Sequence, residues 1–384
     1  MNVSTDLYDV LIVGGGPAGS TLAWSLRKQG LKIAILDKQA FPRHKVCAGW
    51  VTPAVMEELE LDLDDYAQGR TLQPIFGFRV SQIGKREIDT RYTDKPASYS
   101  IRRNEFDHYL LERAQAVTDA ELILGEKFKS MNRVDDYWLV NETYKAKLVV
   151  GAGGHFCPVV REMGSKLGSS ETIVAAQEIE FEMTPEQAAA CPVEADVPEL
   201  LFCEDLLGYG WIVRKGNFLN VGLGREDNHK LSEHVAVFRQ QLVDAGKIPA
   251  ETPLKFHGHA YILYPQATRP LLKDGVLIIG DAAGLAYPES GEGIRPAVES
   301  AMLAAQVIAQ AEGDYSQTRL QAYQTALEAR LGKRGGKQVM DYLPGWLKQS
   351  LAGALLTTHW FVRNYVVESW FLHSEQAPLV VEQP

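Results

Sequence analysis

The chain has 384 residues, 46% hydrophobic and 23% charged, a balance that suits a globular protein with one large domain plus insertions, or two domains of ordinary size. A net charge of −10 is the wrong sign for a nucleic-acid footprint, so nucleic acid is not an expected partner. Cys47, Cys157, Cys191 and Cys203 are widely spaced with no CxxC pair, which argues against a zinc site, a redox dithiol and structural disulfides.

The N-terminus runs almost directly into a strand with no small-residue cleavage site behind it, which reads as a cytoplasmic chain. Residues 8–37 give strand, glycine turn, helix and strand in the order YDVLIV, GGGPAG, STLAWSLRKQG, LKIAILD. Both strands are continuously apolar, as in a parallel sheet buried on two faces. Phe106, Tyr109, Leu110, Ala114 and Val117 recur at helical spacing and predict a helix near 104–118. Short strands follow, ending in KLVVGAGG at 147–154. From about 170 to 265 the alternation in TIVAAQEIEFEM and FLNVGLG predicts an inserted antiparallel sheet. GVLIIGD at 275–281 is a further buried strand, leading into a small-residue helix over about 293–311. The last fifty residues read as aromatic-rich helices. No apolar run reaches the roughly 18 to 20 residues of a membrane span.

The expected fold class is therefore α/β: a Rossmann-type domain, an inserted antiparallel-sheet substrate domain and a C-terminal helical region. A discontinuous nucleotide-binding domain takes 1–75, 100–170 and 265–335. The substrate-binding sheet takes 76–99 and 171–264, and the helical region 336–384.

Gly14, Gly16 and Gly19 form G-x-G-x-x-G between a strand and a helix, the context in which that pattern predicts a dinucleotide pyrophosphate on a helix N-terminus, with Ala18 in the same turn. Asp37 ends the second strand roughly 20 residues further on, where a carboxylate can bind both ribose hydroxyls, and Lys38 follows it. A plain core turn with a surface acid is the alternative. These residues alone do not separate FAD from NAD.

Gly280 and Asp281 precede AAGLAYPESGEGIRPAVESAMLAA, which closely resembles the flavin-binding signature of the geranylgeranyl reductase family of FAD-dependent oxidoreductases, within the wider FAD monooxygenase-like superfamily. The resemblance covers most of the chain. It implies FAD as cofactor, with Asp281 on the ribityl chain and the Gly291 and Gly293 segment bringing a helix N-terminus beneath the flavin pyrimidine. Backbone N–H groups at Gly293 and Ile294 would then stabilise charge on the reduced flavin. IRRNEFDHYLLERA resembles the family's Arg-x-x-Phe-Asp helix start, which assigns Arg103 to the FAD region and Phe106 and Asp107 to helix packing. Phe128 falls where the family's backbone meets the adenine.

The sequence departs from the family in three places. Tyr209 and Trp211 keep the substrate-sheet motif Tyr-x-Trp-x-Phe-Pro, but Val213 and Arg214 stand at its Phe-Pro. Gly153 replaces the acid of Gly-Ala-Asp-Gly, which bears on direct NAD(P)H handling. HKVCAGWVTPAV resembles the Lys-x-Cys-Gly segment that passes the flavin ring, with Ala48 at the usual glycine.

By this resemblance Cys47 is both a cofactor-side residue and the candidate catalytic proton donor. A small buried hydrophobe is the plain reading of a lone cysteine. Trp50, Tyr209, Trp211, Tyr264 and Tyr287 are candidate substrate-pocket walls, each of which ordinary core packing would also explain. His44 and His259 have no second ligand at metal spacing, so no metal is assigned.

The implied function is reduction of carbon–carbon double bonds in a hydrophobic, isoprenoid or lipid substrate, with electrons from NAD(P)H or a small electron carrier, such as an electron-donor protein. The rivals are a flavin monooxygenase or halogenase on the same fold and a non-catalytic flavin- or lipid-binding protein. The C-terminal aromatics Tyr342, Trp346, Trp360, Phe361, Tyr365, Trp370 and Phe371, flanked by Lys348 and Arg363, read either as a helical cap on the flavin domain or as a peripheral membrane contact.

Overall fold

Leu7–Val13 and Ile33–Asp37 are strands with almost every residue buried. They pair in parallel, Val13 opposite Leu36, and the first strand pairs on its other side with Tyr144–Gly151, Val13 opposite Gly151. The computed structural model describes residues 6–165, 171, 173–227, 229–335 and 353–381. From Leu7–Val13 the sheet grows outward to Glu121–Leu124 on one side and to Val276–Ile278 on the other. Strand order thus reverses around the first strand, and the carboxyl ends of the parallel strands open on one crevice, where such sheets bind ligands. The helices Pro17–Ser25, Arg103–Thr118 and Ile294–Gln310 cover the sheet.

The second sheet has seven strands in the order His257–Ile262, Ile173–Glu182, Phe218–Arg225, Gly208–Lys215, Glu199–Phe202, Gly77–Gln82, Ile88–Arg91. It is antiparallel except for the parallel pairing of Glu199–Phe202 with Gly77–Gln82. Two helices interrupt the stretch that reads as strands alone. Pro185–Ala190 is closed by a Thr184 capping box, and Leu231–Asp244 buries Leu231, Val235, Phe238 and Leu242 against the sheet. A small three-stranded sheet, Trp50–Val51, Ser98–Ile101 and Leu72–Ile75, joins the two larger units.

The C-terminal helix, a π-helix over Val362–Phe371, packs differently from the expected cap on the flavin domain. Val362, Val366, Val367 and Phe371 are buried with Trp50, Phe78, Trp211 and Phe202, so this helix completes the core of the substrate sheet. Burial of these branched and aromatic side chains is what holds it there. Tyr342, Trp346 and Lys348 lie outside the described residues. No described helix is long and apolar enough to cross a membrane.

Candidate active site

A cavity of about 590 Å³ runs from the carboxyl ends of the parallel strands to the face of the second sheet. At its first end the glycine turn leaves room for a ligand. Gly14 has φ +117°, and a Cβ there would lie 2.5 Å from the Ala152 carbonyl oxygen, so no other residue fits. Gly16 caps the Pro17–Ser25 helix, whose N-terminal dipole favours an anion. Gly19 sits behind the turn; a Cβ would be 1.9 Å from the Gly14 carbonyl oxygen.

The Asp37 carboxylate accepts the Gly15 N–H at 2.8 Å and the Gln39 N–H at 2.9 Å, and with Lys38 and Phe128 it lines the same end. Arg43, which the sequence reading did not single out, lies over Phe41, 3.3 Å from Asp107, with its guanidinium beside Gly16. This end therefore presents a helix N-terminus and an arginine together, as a pyrophosphate requires.

Midway, Asp281 lies 3.7 Å from His259 Nε2, and Lys45 Nζ reaches the same ring nitrogen at 2.9 Å. Burial opposes charge on Asp281, but His259 and the Lys45 ammonium together hold it below its usual range. Burial pushes Lys45 down to about 8 despite the pull of Asp281. Gly293 makes room for this carboxylate, since a Cβ would stand 2.7 Å from Asp281 Oδ1. Gly280 stands behind Asp281 against Ala18. Gly291 and Ile294 line the cavity where the Ile294–Gln310 helix begins. The Glu292 carboxylate beside them has no hydrogen-bond partner among the described residues, and burial pushes it up to about 7.

At the far end are Cys47, Ala48, Trp50, Tyr209 and Trp211. Cys47 is half-buried, and its sulfur accepts the Gly49 N–H at 3.3 Å. The buried Arg103 guanidinium forms a two-pronged pair with Asp107 at 2.8 and 2.9 Å. Tyr209 donates its hydroxyl to the Ser290 carbonyl, and its ring meets Phe371 edge-on at 5.3 Å.

Two expected pocket walls lie elsewhere. Tyr264 donates to the Gly332 carbonyl at 2.7 Å within the flavin-side core. Tyr287 donates to Gln376 at 2.9 Å and meets the His373 ring at a tilt, centroids 3.8 Å apart, so it fastens the chain end. His259 and Tyr261, two residues apart on the strand His257–Ile262, also line the cavity, which the sequence did not point to. The residues present fit a flavin dinucleotide: a glycine cradle at a helix N-terminus, a ribose-side acid, a ribityl-side acid and a second helix start beside an apolar chamber.

A family model described as FAD binding domain matches residues 7–333. The chain is 29% identical over 361 residues to digeranylgeranylglycerophospholipid reductase from Methanocaldococcus jannaschii, covering 91% of this chain and 87% of that protein. It is 28% identical to geranylgeranyl diphosphate reductase from Rhodobacter capsulatus, covering 77% and 75%. A crystal structure of a geranylgeranyl bacteriochlorophyll reductase-like protein from Thermoplasma acidophilum superposes with a TM-score of 0.74 at 23% identity, covering 91% of this chain and 88% of that one. The chain belongs to the FAD-binding-domain family of flavoproteins.

Proposed function

We propose that this flavoprotein reduces carbon–carbon double bonds of a hydrophobic, isoprenoid or lipid substrate. The observation that carries the reading is the joining of two unlike ends in one cavity. One end has the dinucleotide cradle, and the other is an aromatic chamber of Trp50, Tyr209 and Trp211 with a single thiol, Cys47, at its edge. The names of the reductases to which the chain is similar support the same class of substrate.

Reduced FAD, when bound, supplies a hydride equivalent. The chain's own residues supply the rest. Arg43, Asp37 and Asp281 would hold the dinucleotide, while Gly293 and Ile294 would offer N–H groups to charge on the reduced flavin. The apolar walls exclude water and orient an alkene. Cys47, or a water beside it, delivers the proton to the second carbon, so that hydride and proton together saturate the bond. Electrons enter from NAD(P)H or a small electron carrier, and Gly153 leaves no acid at the position that commonly contacts FAD or a pyridine nucleotide in the wider superfamily. A lipid substrate also accords with peripheral contact between the outward edge of the C-terminal helix and a bilayer.

The test is single-turnover mixing of chemically reduced protein with a geranylgeranyl lipid, with and without oxygen. A product heavier by two hydrogens without oxygen is the expected result. An oxygenated or halogenated product, formed only with oxygen, would overturn it.

A further inference from the structure

The backbone of Cys47 is held by the substrate sheet, its carbonyl accepting Asn220 Nδ2 at 3.1 Å. Asn220 Nδ2 also donates to Glu178 at 2.8 Å, while Asn220 Oδ1 accepts the Trp211 indole N–H at 2.7 Å. One buried amide thus holds both the thiol loop and an aromatic wall of the chamber. Gly222 makes this possible, because a Cβ there would lie 2.1 Å from the Trp211 ring.

The network continues beneath the loop. Glu180, opposite Asn220 across the strands, pairs with the buried Lys215 at 2.6 Å and with Arg102 at 3.1 Å. The loop is pressed onto it: Gly49 has φ +71°, and a Cβ would come within 2.4 Å of Lys215 Nζ. On the solvent side His44 stands 3.6 Å from Glu178. Buried ion pairs of this kind are weak contributors to stability, since apolar replacements of the same volume often do as well. Their geometry, however, is specific, and here it terminates on the two cavity residues whose separation matters for proton transfer.

We propose that Glu178 and Asn220 form a clamp that fixes the Cys47 thiol relative to the Trp211 wall, with Asn220 as a positioning residue for the proton transfer. This rests on the alkene-reductase reading above. Asn220→Asp keeps the acceptor for Trp211 but removes the donor to the Cys47 carbonyl. Asn220→Leu removes both. Glu178→Gln keeps an acceptor for Asn220 Nδ2, and Glu178→Ala does not.

The experiment uses the FAD-loaded full chain and two readouts, the alkylation rate of Cys47 resolved by mass spectrometry and the steady-state reduction of a geranylgeranyl lipid. Because a displacement of about 1 Å can cost on the order of 100-fold, both Asn220 variants are expected to lose ~10- to 100-fold in kcat, with KM within about threefold. Cys47 alkylation should change by about tenfold or more in the same variants, since reactivity follows the thiol's surroundings. Glu178→Gln should recover most of what Glu178→Ala loses.

Unchanged alkylation and kcat in Asn220→Asp and Asn220→Leu would overturn the clamp. So would loss of FAD from both isosteric variants, Asn220→Asp and Glu178→Gln, which would make the network structural. A wild-type protein that reduces no alkene refutes the reductase reading instead, while the alkylation comparison still decides whether Asn220 and Glu178 hold Cys47.

Discussion

Asp281 is the residue whose surroundings are most specific to a ligand. Its carboxylate is kept ionised against burial by His259 and Lys45, in space that Gly293 leaves open. Asp281→Ala is expected to weaken FAD retention by roughly tenfold or more, the scale of a lost charge-assisted hydrogen bond, whereas Asp64→Ala on an exposed helix should not change it. Flavin content after gel filtration measures both, and equal retention would remove Asp281 from the cofactor site. Cys47→Ala is expected to keep FAD and lower turnover, because its sulfur lies at the chamber end of the cavity. A variant with normal turnover would leave the proton to water.

At this scale much of the candidate site was legible in the sequence, because a glycine in a strand-to-helix turn and an acid after a buried strand have few other uses. Gly14, Gly16, Asp37 and Asp281 belong to that class. Arg43, Asn220 and Glu178 do not. An arginine in a loop and polar residues alternating in a strand have ordinary surface explanations, and only pairing register brings Asn220 beneath Cys47. Tyr264 and Tyr287 show the converse, since an aromatic near a motif carries no information about which way it faces.

The elements were legible wherever one periodicity ran uninterrupted. Leu7–Val13, Arg103–Thr118 and Ile294–Gln310 fall where apolar runs and helical spacing put them. Leu231–Asp244 was absorbed into a strand-like reading of its region, although Leu231, Val235, Phe238 and Leu242 carry a helical period. The stretch after Phe371 was not legible, because what fastens it is tertiary. Arg295 donates to the Gln376 and Ala377 carbonyls at 2.8 and 3.0 Å, Arg330 donates to the Ala377 carbonyl at 2.7 Å, and Glu58 accepts the Leu379 N–H at 2.9 Å. Burial, then repulsion from Glu299, pushes Glu58 up to about 8.

A carboxyl raised in the folded state gives stability that is complete below its unfolded value near 4.5 and is lost as pH rises through about 8. Glu58→Gln imitates the protonated form and keeps an acceptor for Leu379. Its melting temperature is therefore expected to match wild type near pH 5 and to exceed it near pH 9. A variant that melts lower at pH 9 would show that Glu58 serves the strap as an anion.

For the whole molecule, the decisive feature is that the C-terminal helix faces two ways. Its inner face closes the substrate core through Val362, Val366, Val367 and Phe371, and Phe371 touches both Trp50 and Tyr209. On the outer face Tyr365 is 45% exposed and stacks on Phe361 at 5.3 Å, and Trp360, in the turn His359–Phe361 that leads into the helix, is 63% exposed. Amphipathic aromatics of this kind favour a membrane interface, and here they stand on the far side of the helix whose Phe371 borders the chamber. Arg363 is not free to supply the attraction to anionic head groups, because it donates to the Arg91 carbonyl at 3.2 Å and lies over Tyr92. With a net charge of −10, the contact should depend on aromatic insertion and little on anionic lipid. Removing the whole segment would unroof the substrate core and confound the test, so the informative variant is Trp360→Ser with Tyr365→Ser, both exposed. Vesicle co-sedimentation of the FAD-loaded protein is expected to fall roughly tenfold in the double variant, on zwitterionic and anionic vesicles alike, with FAD content unchanged. The membrane contact is wrong if wild-type protein ignores both kinds of vesicle at low salt, or if the double variant binds them as well as wild type does.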